Sequence, residues 1–192
     1  MGIVFLDLEA SSLMRGSFPI EVGWCDHLGH GRAYLIRPTA DWVEWSPQSE
    51  RVHGISRREL ERSGEPVEVV ARRAFAAMWA VGTEIYSDNP AMDGMWLQKL
   101  LDAGGKPSVQ PILDVRKLFV RECQALLALN HEEPDTAAWH REDRRLKDRM
   151  DFVIGTVEER YEGHPAHRAQ PDAERLWKMW QDVRIFINKE TS

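Results

Sequence analysis

Apolar residues crowd the start of the chain. Ile3, Val4, Phe5, Leu6 and Leu8 leave almost no polar face, which is the pattern of a central strand buried on both sides and spanning Gly2 to Glu9. Ile20 to Cys25 and Arg32 to Ile36, separated by Asp26-His27-Leu28-Gly29, predict two antiparallel strands joined by a turn. Pro66 can begin a helix, and Val67, Val70, Ala71, Ala74, Met78 and Val81 recur at three- and four-residue steps up to Gly82. Glu84 to Tyr86 reads as a short strand. Asn89-Pro90 then opens a helix that presents Trp96, Leu97, Leu100 and Leu101 and stops at Ala103-Gly104-Gly105.

A weak strand over Ile112 to Val115 precedes a helix with Leu118, Phe119, Cys123, Leu126 and Leu127 on one side. The pattern then dissolves in polar, proline-interrupted sequence, so a mobile loop is expected near 129–141. Leu146, Met150, Val153 and Val157 suggest a further helix. From about Pro171, Leu176, Trp180, Val183 and Ile187 form the apolar stripe of a last one. A strand meander followed by alternating helices and strands implies a mixed sheet with helices packed on it, an α/β or α+β arrangement.

At 192 residues one domain over 1–192 is expected. With 43% apolar and 29% charged residues and eight tryptophans, the chain reads as globular. The opening run is broken by acids at 7 and 9 and lacks a basic lead-in, so neither a signal peptide nor a membrane anchor is expected. Cys25 and Cys123 stand far apart and make neither a disulfide framework nor a zinc site, which suits a reducing cytoplasm. The net charge of −6 argues against a nucleic-acid partner until clustered acids are loaded with divalent cations, which reverse the local sign.

Three segments carry candidate chemistry. Asp7 and Glu9, one residue apart in a strand, leave the same face roughly 6.6 Å apart along the backbone. Two charges on an apolar strand are costly without a cation, although a charged strand end is also common. Asp93 lies in the first turn of the helix opened by Asn89-Pro90, where an acid also simply complements the helix dipole. His167 precedes the last helix and Asp172 lies in its first turns, so the two can converge.

Together, Phe5-Leu6-Asp7-Leu8-Glu9, Asn89 with Asp93, Trp96 and Leu97, and His167-Arg168-Ala169 followed by Asp172-Ala173 resemble the three motifs of the DEDDh 3′-5′ exonucleases, in the DnaQ-like branch of the ribonuclease-H-like superfamily. Val52-His53-Gly54-Ile55 is similar to a further family segment, and the resemblance runs in order over about residues 3–180. It departs from the family at Ala10-Ser11-Ser12-Leu13, where Thr and Gly are common, and at Asp88, where His is frequent. Residues 130–149 have no counterpart.

The resemblance implies a ribonuclease-H-like α/β fold, with a five-stranded mixed sheet of an antiparallel meander plus parallel strands. It implies two Mg²⁺ or Mn²⁺ ions, consistent with hard oxygen ligands. Asp7 would be shared by both ions, Glu9 and Asp172 would complete one, Asp93 would hold the other largely through water, and His167 would act as base. Tyr161, the alternative base, stands too far before Asp172. Ala10, Ser11, Leu13, His53 and Asn89 are the candidate substrate contacts.

Trp42, Trp45 and His53 can stack on bases, a contact worth about 1–3 kcal/mol per base, but core packing is an equal reading for the tryptophans. Arg141, Arg144, Arg145, Lys147 and Arg149 are interrupted by acids and read as a solvated helix face. The implied activity is release of nucleoside 5′-monophosphates from the 3′ end of single-stranded DNA or RNA, or of a 3′ overhang, by a cytoplasmic enzyme with no membrane partner, as a monomer or homodimer. The competing readings are a noncatalytic nucleic-acid-binding module on the same fold and a ribonuclease-H-like endonuclease.

Overall fold

In the computed structural model, residues 2–80, 82–128, 136–163 and 167–190 are described. Their contacts divide the chain into two units, one of residues 1–114 and 165–177, the other of residues 115–164 and 178–192.

The first unit is built on β1 (Gly2–Ala10), β2 (Pro19–Asp26), β3 (Gly31–Leu35), β4 (Thr83–Ser87) and β5 (Ile112–Asp114), in the order β3-β2-β1-β4-β5. β1, β2 and β3 form an antiparallel meander, and β4 and β5 add to it in parallel. This is the mixed sheet expected from the hydrophobic pattern, with the five-stranded meander-plus-parallel arrangement that the motif resemblance implies. The β2–β3 turn closes because Asp26 Oδ1 accepts the amides of Leu28 and His30.

β1 is the central strand expected, covered on both faces, with Phe5 fully buried on one and Leu6 on the other. Val4, Leu6, Leu8 and Ala10 face a core shared with Ile20, Val22 and Ile85, and with α3 (Val67–Met78) and α4 (Pro90–Ala103). Phe5, Asp7 and Glu9 take the opposite face, as a two-residue period requires. Two short helices, α1 (Pro47–His53) and α2 (Arg57–Ser63), lie between β3 and α3 and are not evident in the hydrophobic periodicity. Their signature is in the caps: Ser46 accepts the Ser49 amide, Ser56 accepts the Glu59 amide, and Gly54 ends α1 at φ 71°.

The second unit comprises α5 (Val115–Ala128), α6 (Thr136–Arg160) and the later turns of α7 (Ala169–Glu190). It buries Leu118, Phe119, Cys123, Val153, Val157, Val183 and Ile187. Of the loop expected near 129–141, residues 129–135 lie outside the described residues and 136–141 are the first turns of α6. The side chains of Arg141, Arg144 and Arg145 also lie outside the described residues. Among the described residues, no helix is long and apolar enough to cross a membrane.

Candidate active site

β1 outruns its parallel neighbour. Its pairing with β4 ends at Phe5 opposite Tyr86, so the Leu8 amide is left unmatched on that side. Asp93, on the first turn of α4, supplies the acceptor: its Oδ1 takes the Leu8 amide at 3.2 Å and its Oδ2 takes the Ser87 hydroxyl. The crevice beyond the carboxyl ends of neighbouring parallel strands is the usual ligand site of such sheets. Asp93 is held in that crevice, buried beside Asp7.

The other side of the site is set by β2. Glu21 pairs with Glu9 and Gly23 with Asp7, so both point to the acid-bearing face. A Cβ on Gly23 would lie 2.3 Å from the Ala169 carbonyl carbon, which shows how closely the start of α7 approaches β2. Glu21 is buried and binds that start directly, accepting Arg168 Nε at 2.9 Å, Arg168 Nη2 at 2.6 Å and the Ala169 amide at 2.9 Å. Asp172 Oδ2 in turn accepts the Arg168 amide at 3.0 Å. His167, the residue before this anchored pair, is thereby carried to Glu9 and Asp172.

Among the described residues, two groups could each hold a cation. Glu9, His167 and Asp172 form one and Asp7, Asp88 and Asp93 the other, with donor atoms within 4.8 Å of one another in each. Asp88 is exposed, and its Oδ2 accepts Arg175 Nη2 at 2.8 Å. The Arg175 Nε lies 3.4 Å from Asp172 Oδ1. Neither Glu21 nor Arg175 is legible as a site residue from the motifs, since each acts through a partner distant in the sequence.

Electrostatics favour a cation. Burial, and then the negative charges of Asp93, Glu9, Asp172 and Asp88, hold the Asp7 carboxyl well above the usual range. Burial raises Glu9 to about 8, aided by Asp172, Glu21 and Asp93 and opposed by Arg168. Burial raises Asp93 to about 7, against the Ser87 and Leu8 hydrogen bonds. Among the described residues, Asp7 Oδ2 is shut from solvent with no hydrogen-bond partner. An orphaned buried carboxylate oxygen amid like charges, with oxygen donors around it, fits Mg²⁺ or Mn²⁺.

A groove of about 500 Å³ runs from this cluster. Glu9 and His167 wall one part, and Ala10, Ser12, Leu13, Met14, His53, Asn89 and Trp96 line the rest. Leu13 and Met14 are exposed apolar side chains beside it. Of the candidate substrate contacts, Ala10, Leu13, His53 and Asn89 reach the groove. Ser11 does not: it is fully buried, with its hydroxyl accepting the Phe18 amide at 3.1 Å and donating to Glu44 at 3.4 Å. Trp42 stacks on Phe18 at 5.2 Å in the core, and Trp45 donates to Glu50 at 2.7 Å. Burial of His53 holds its imidazole below the usual value. Tyr161 belongs to the helical unit and donates its hydroxyl to Asp182 at 3.1 Å.

No protein-family model and no curated protein matches the chain. Solved structures do. E. coli exonuclease I in complex with a dT13 oligonucleotide is similar with a TM-score of 0.64 at 16% identity, over 99% of this chain and 42% of that one. The likeness shows the fold, a mixed α/β sheet shared with these exonuclease I structures. The zinc-bound form of the E. coli exonuclease I complex with single-stranded DNA gives 0.64 at 14% identity, covering 98% and 42%. A moderately thermophilic exonuclease I from Methylocaldum szegediense gives 0.64 at 15%, covering 96% and 40%. The chain therefore spans about two fifths of the length of these exonucleases.

Proposed function

We propose that this chain is a divalent-cation-dependent 3′-5′ exonuclease acting on single-stranded nucleic acid or a 3′ overhang. The observation that carries it is that residues from distant segments form two candidate cation-binding groups, Glu9 with His167 and Asp172 and Asp7 with Asp93, and that among the described residues the buried Asp7 Oδ2 has no hydrogen-bond partner. The likeness to exonuclease I, solved in complex with single-stranded oligonucleotides, supports the substrate class.

Glu9 and Asp172 would hold one Mg²⁺ or Mn²⁺ and Asp93 the other. Asp7, which feels carboxylates of both groups, would be shared. When bound, such a pair activates a water and neutralises charge on the departing oxygen. His167, exposed at the groove, accepts the proton of the attacking water. Glu21 and Arg168 are positioning residues that fix the backbone beside His167. Leu13, Met14 and Trp96 offer apolar surface for the terminal bases, and the product is a nucleoside 5′-monophosphate.

The test is Mn²⁺-dependent release of mononucleotides from single-stranded DNA and RNA with free or phosphate-blocked 3′ ends. Free ends are degraded, blocked ends survive, and Asp7→Asn and His167→Ala each lose at least about 10²-fold, the scale of a lost general base. Internal fragments from a circular strand would instead establish an endonuclease. Oligonucleotide binding without hydrolysis, equal in wild type and variants, would establish a binding module.

A further inference from the structure

Asp88 stands between the end of β4 and the entry of α4, and its carboxylate belongs to the group formed with Asp7 and Asp93. The three acids differ in what they can still offer a cation. Both oxygens of Asp93 are engaged by internal donors, the Leu8 amide and the Ser87 hydroxyl. Asp7 Oδ2 is buried and, among the described residues, has no partner. Asp88 is exposed and its Oδ2 is held by Arg175, a contact between side chains 42% and 19% exposed that a dication can displace.

The same guanidinium reaches the other group. Arg175 Nη2 is 2.8 Å from Asp88 Oδ2, and Nε is 3.4 Å from Asp172 Oδ1. One monovalent cation thus touches a carboxylate of each cation-binding group. Hard divalent ions prefer several carboxylate oxygens; each Asp93 oxygen keeps a second lone pair beside its hydrogen bond, and Asp7 and Asp88 supply the oxygens of this group that neither the Leu8 amide nor the Ser87 hydroxyl holds.

We infer that Asp88 is a direct ligand of the cation held by Asp7 and Asp93, and that Arg175 is the built-in counter-ion that competes for it. This rests on the two-cation reading proposed above. Loading the site draws Asp88 off Arg175, so occupancy of one group alters the hold of Arg175 on Asp172 in the other. Asp88 would tighten the second cation, and Arg175 would set the concentration at which it loads.

Calorimetric titration of EDTA-stripped protein with Mn²⁺ alone tests this, with melting curves in EDTA to verify each fold. Wild type is expected to bind two ions. Asp88→Asn should weaken the second by at least tenfold and leave the first within about twofold. Asp88→Glu should recover much of the loss, and Arg175→Gln should tighten the second site severalfold. Two wild-type sites left unchanged by Asp88→Asn would overturn this inference alone, as would an unaltered or weakened second site in Arg175→Gln. Absence of Mn²⁺ binding by wild type would overturn the proposed function and this inference with it. Should Asp88→Asn fail to fold, the Asp88→Glu and Arg175→Gln isotherms decide.

Discussion

Glu21 is a carboxylate with no role in the motifs, yet it binds the segment on which His167 and Asp172 stand. Its two oxygens take three N–H groups from Arg168 and Ala169. Glu21→Ala would leave the buried Ala169 amide without its acceptor, at a cost of about 1–3 kcal/mol in stability. Loss of partners that orient ligands typically costs about 10–100-fold in activity, so hydrolysis of a labelled oligonucleotide should fall by that much. A variant of wild-type activity would remove Glu21 from the positioning role.

The raised carboxyls make a second expectation at this scale. In the folded, metal-free protein Glu9 sits at about 8 and Asp93 at about 7, against ordinary values of 4.5 and 3.8. The unfolded chain therefore sheds these protons first, and the stability they contribute is complete below about pH 4 and lost as pH rises through about 7–8. In EDTA the melting midpoint should fall between pH 5 and pH 8.5, and Mn²⁺ at pH 8.5 should restore it. A midpoint that climbs with pH in EDTA contradicts burial of these acids.

At the scale of elements, the decisive contact is the start of α7 against β2. A Gly23 Cβ would meet the Ala169 carbonyl oxygen and the Gln170 amide at 2.5 Å each, backbone atoms that no rotamer change can clear. Gly23→Ala should destabilise by about 1–3 kcal/mol as an overpacking substitution and depress activity by displacing His167 and Asp172. Gly155, inside α6, has nothing within 4 Å of an added Cβ. Gly155→Ala should stabilise by about 0.4–1 kcal/mol and leave hydrolysis unchanged. Denaturant melts of the pair separate a packing requirement from a helix preference.

The same comparison shows what local pattern conveys. The long helices and the meander have stripes or alternations that are read directly. α1 and α2 are seven residues each, too short for a stripe, and depend on the caps of Ser46 and Ser56. The partition of β1, with Leu6 and Leu8 on one face and Asp7 and Glu9 on the other, follows from the two-residue period. That the acid face is covered by the start of α7 does not.

Over the whole molecule, the net charge of −6 opposes a polyanion, so association should depend on cations at the acid cluster. Anisotropy of a fluorescent single-stranded oligonucleotide should show negligible binding in EDTA and clear binding with Ca²⁺, an oxygen-seeking ion. Equal binding in both would point to a basic surface elsewhere. The sequence by itself determined the order of the five strands and the five longer helices, the shared face of Asp7 and Glu9, and the helix entries carrying Asp93 and Asp172, because these follow from periodicity and helix-start residues among near neighbours. Only the tertiary structure decided that Glu21 anchors Arg168, that Arg175 bridges Asp88 and Asp172, and that Ser11 is sealed away from the groove. Apart from the i, i+3 contact of Arg175 with Asp172, those are meetings of residues seven to 147 positions apart, set by strand register and helix approach, and such contacts leave no signature in the local pattern.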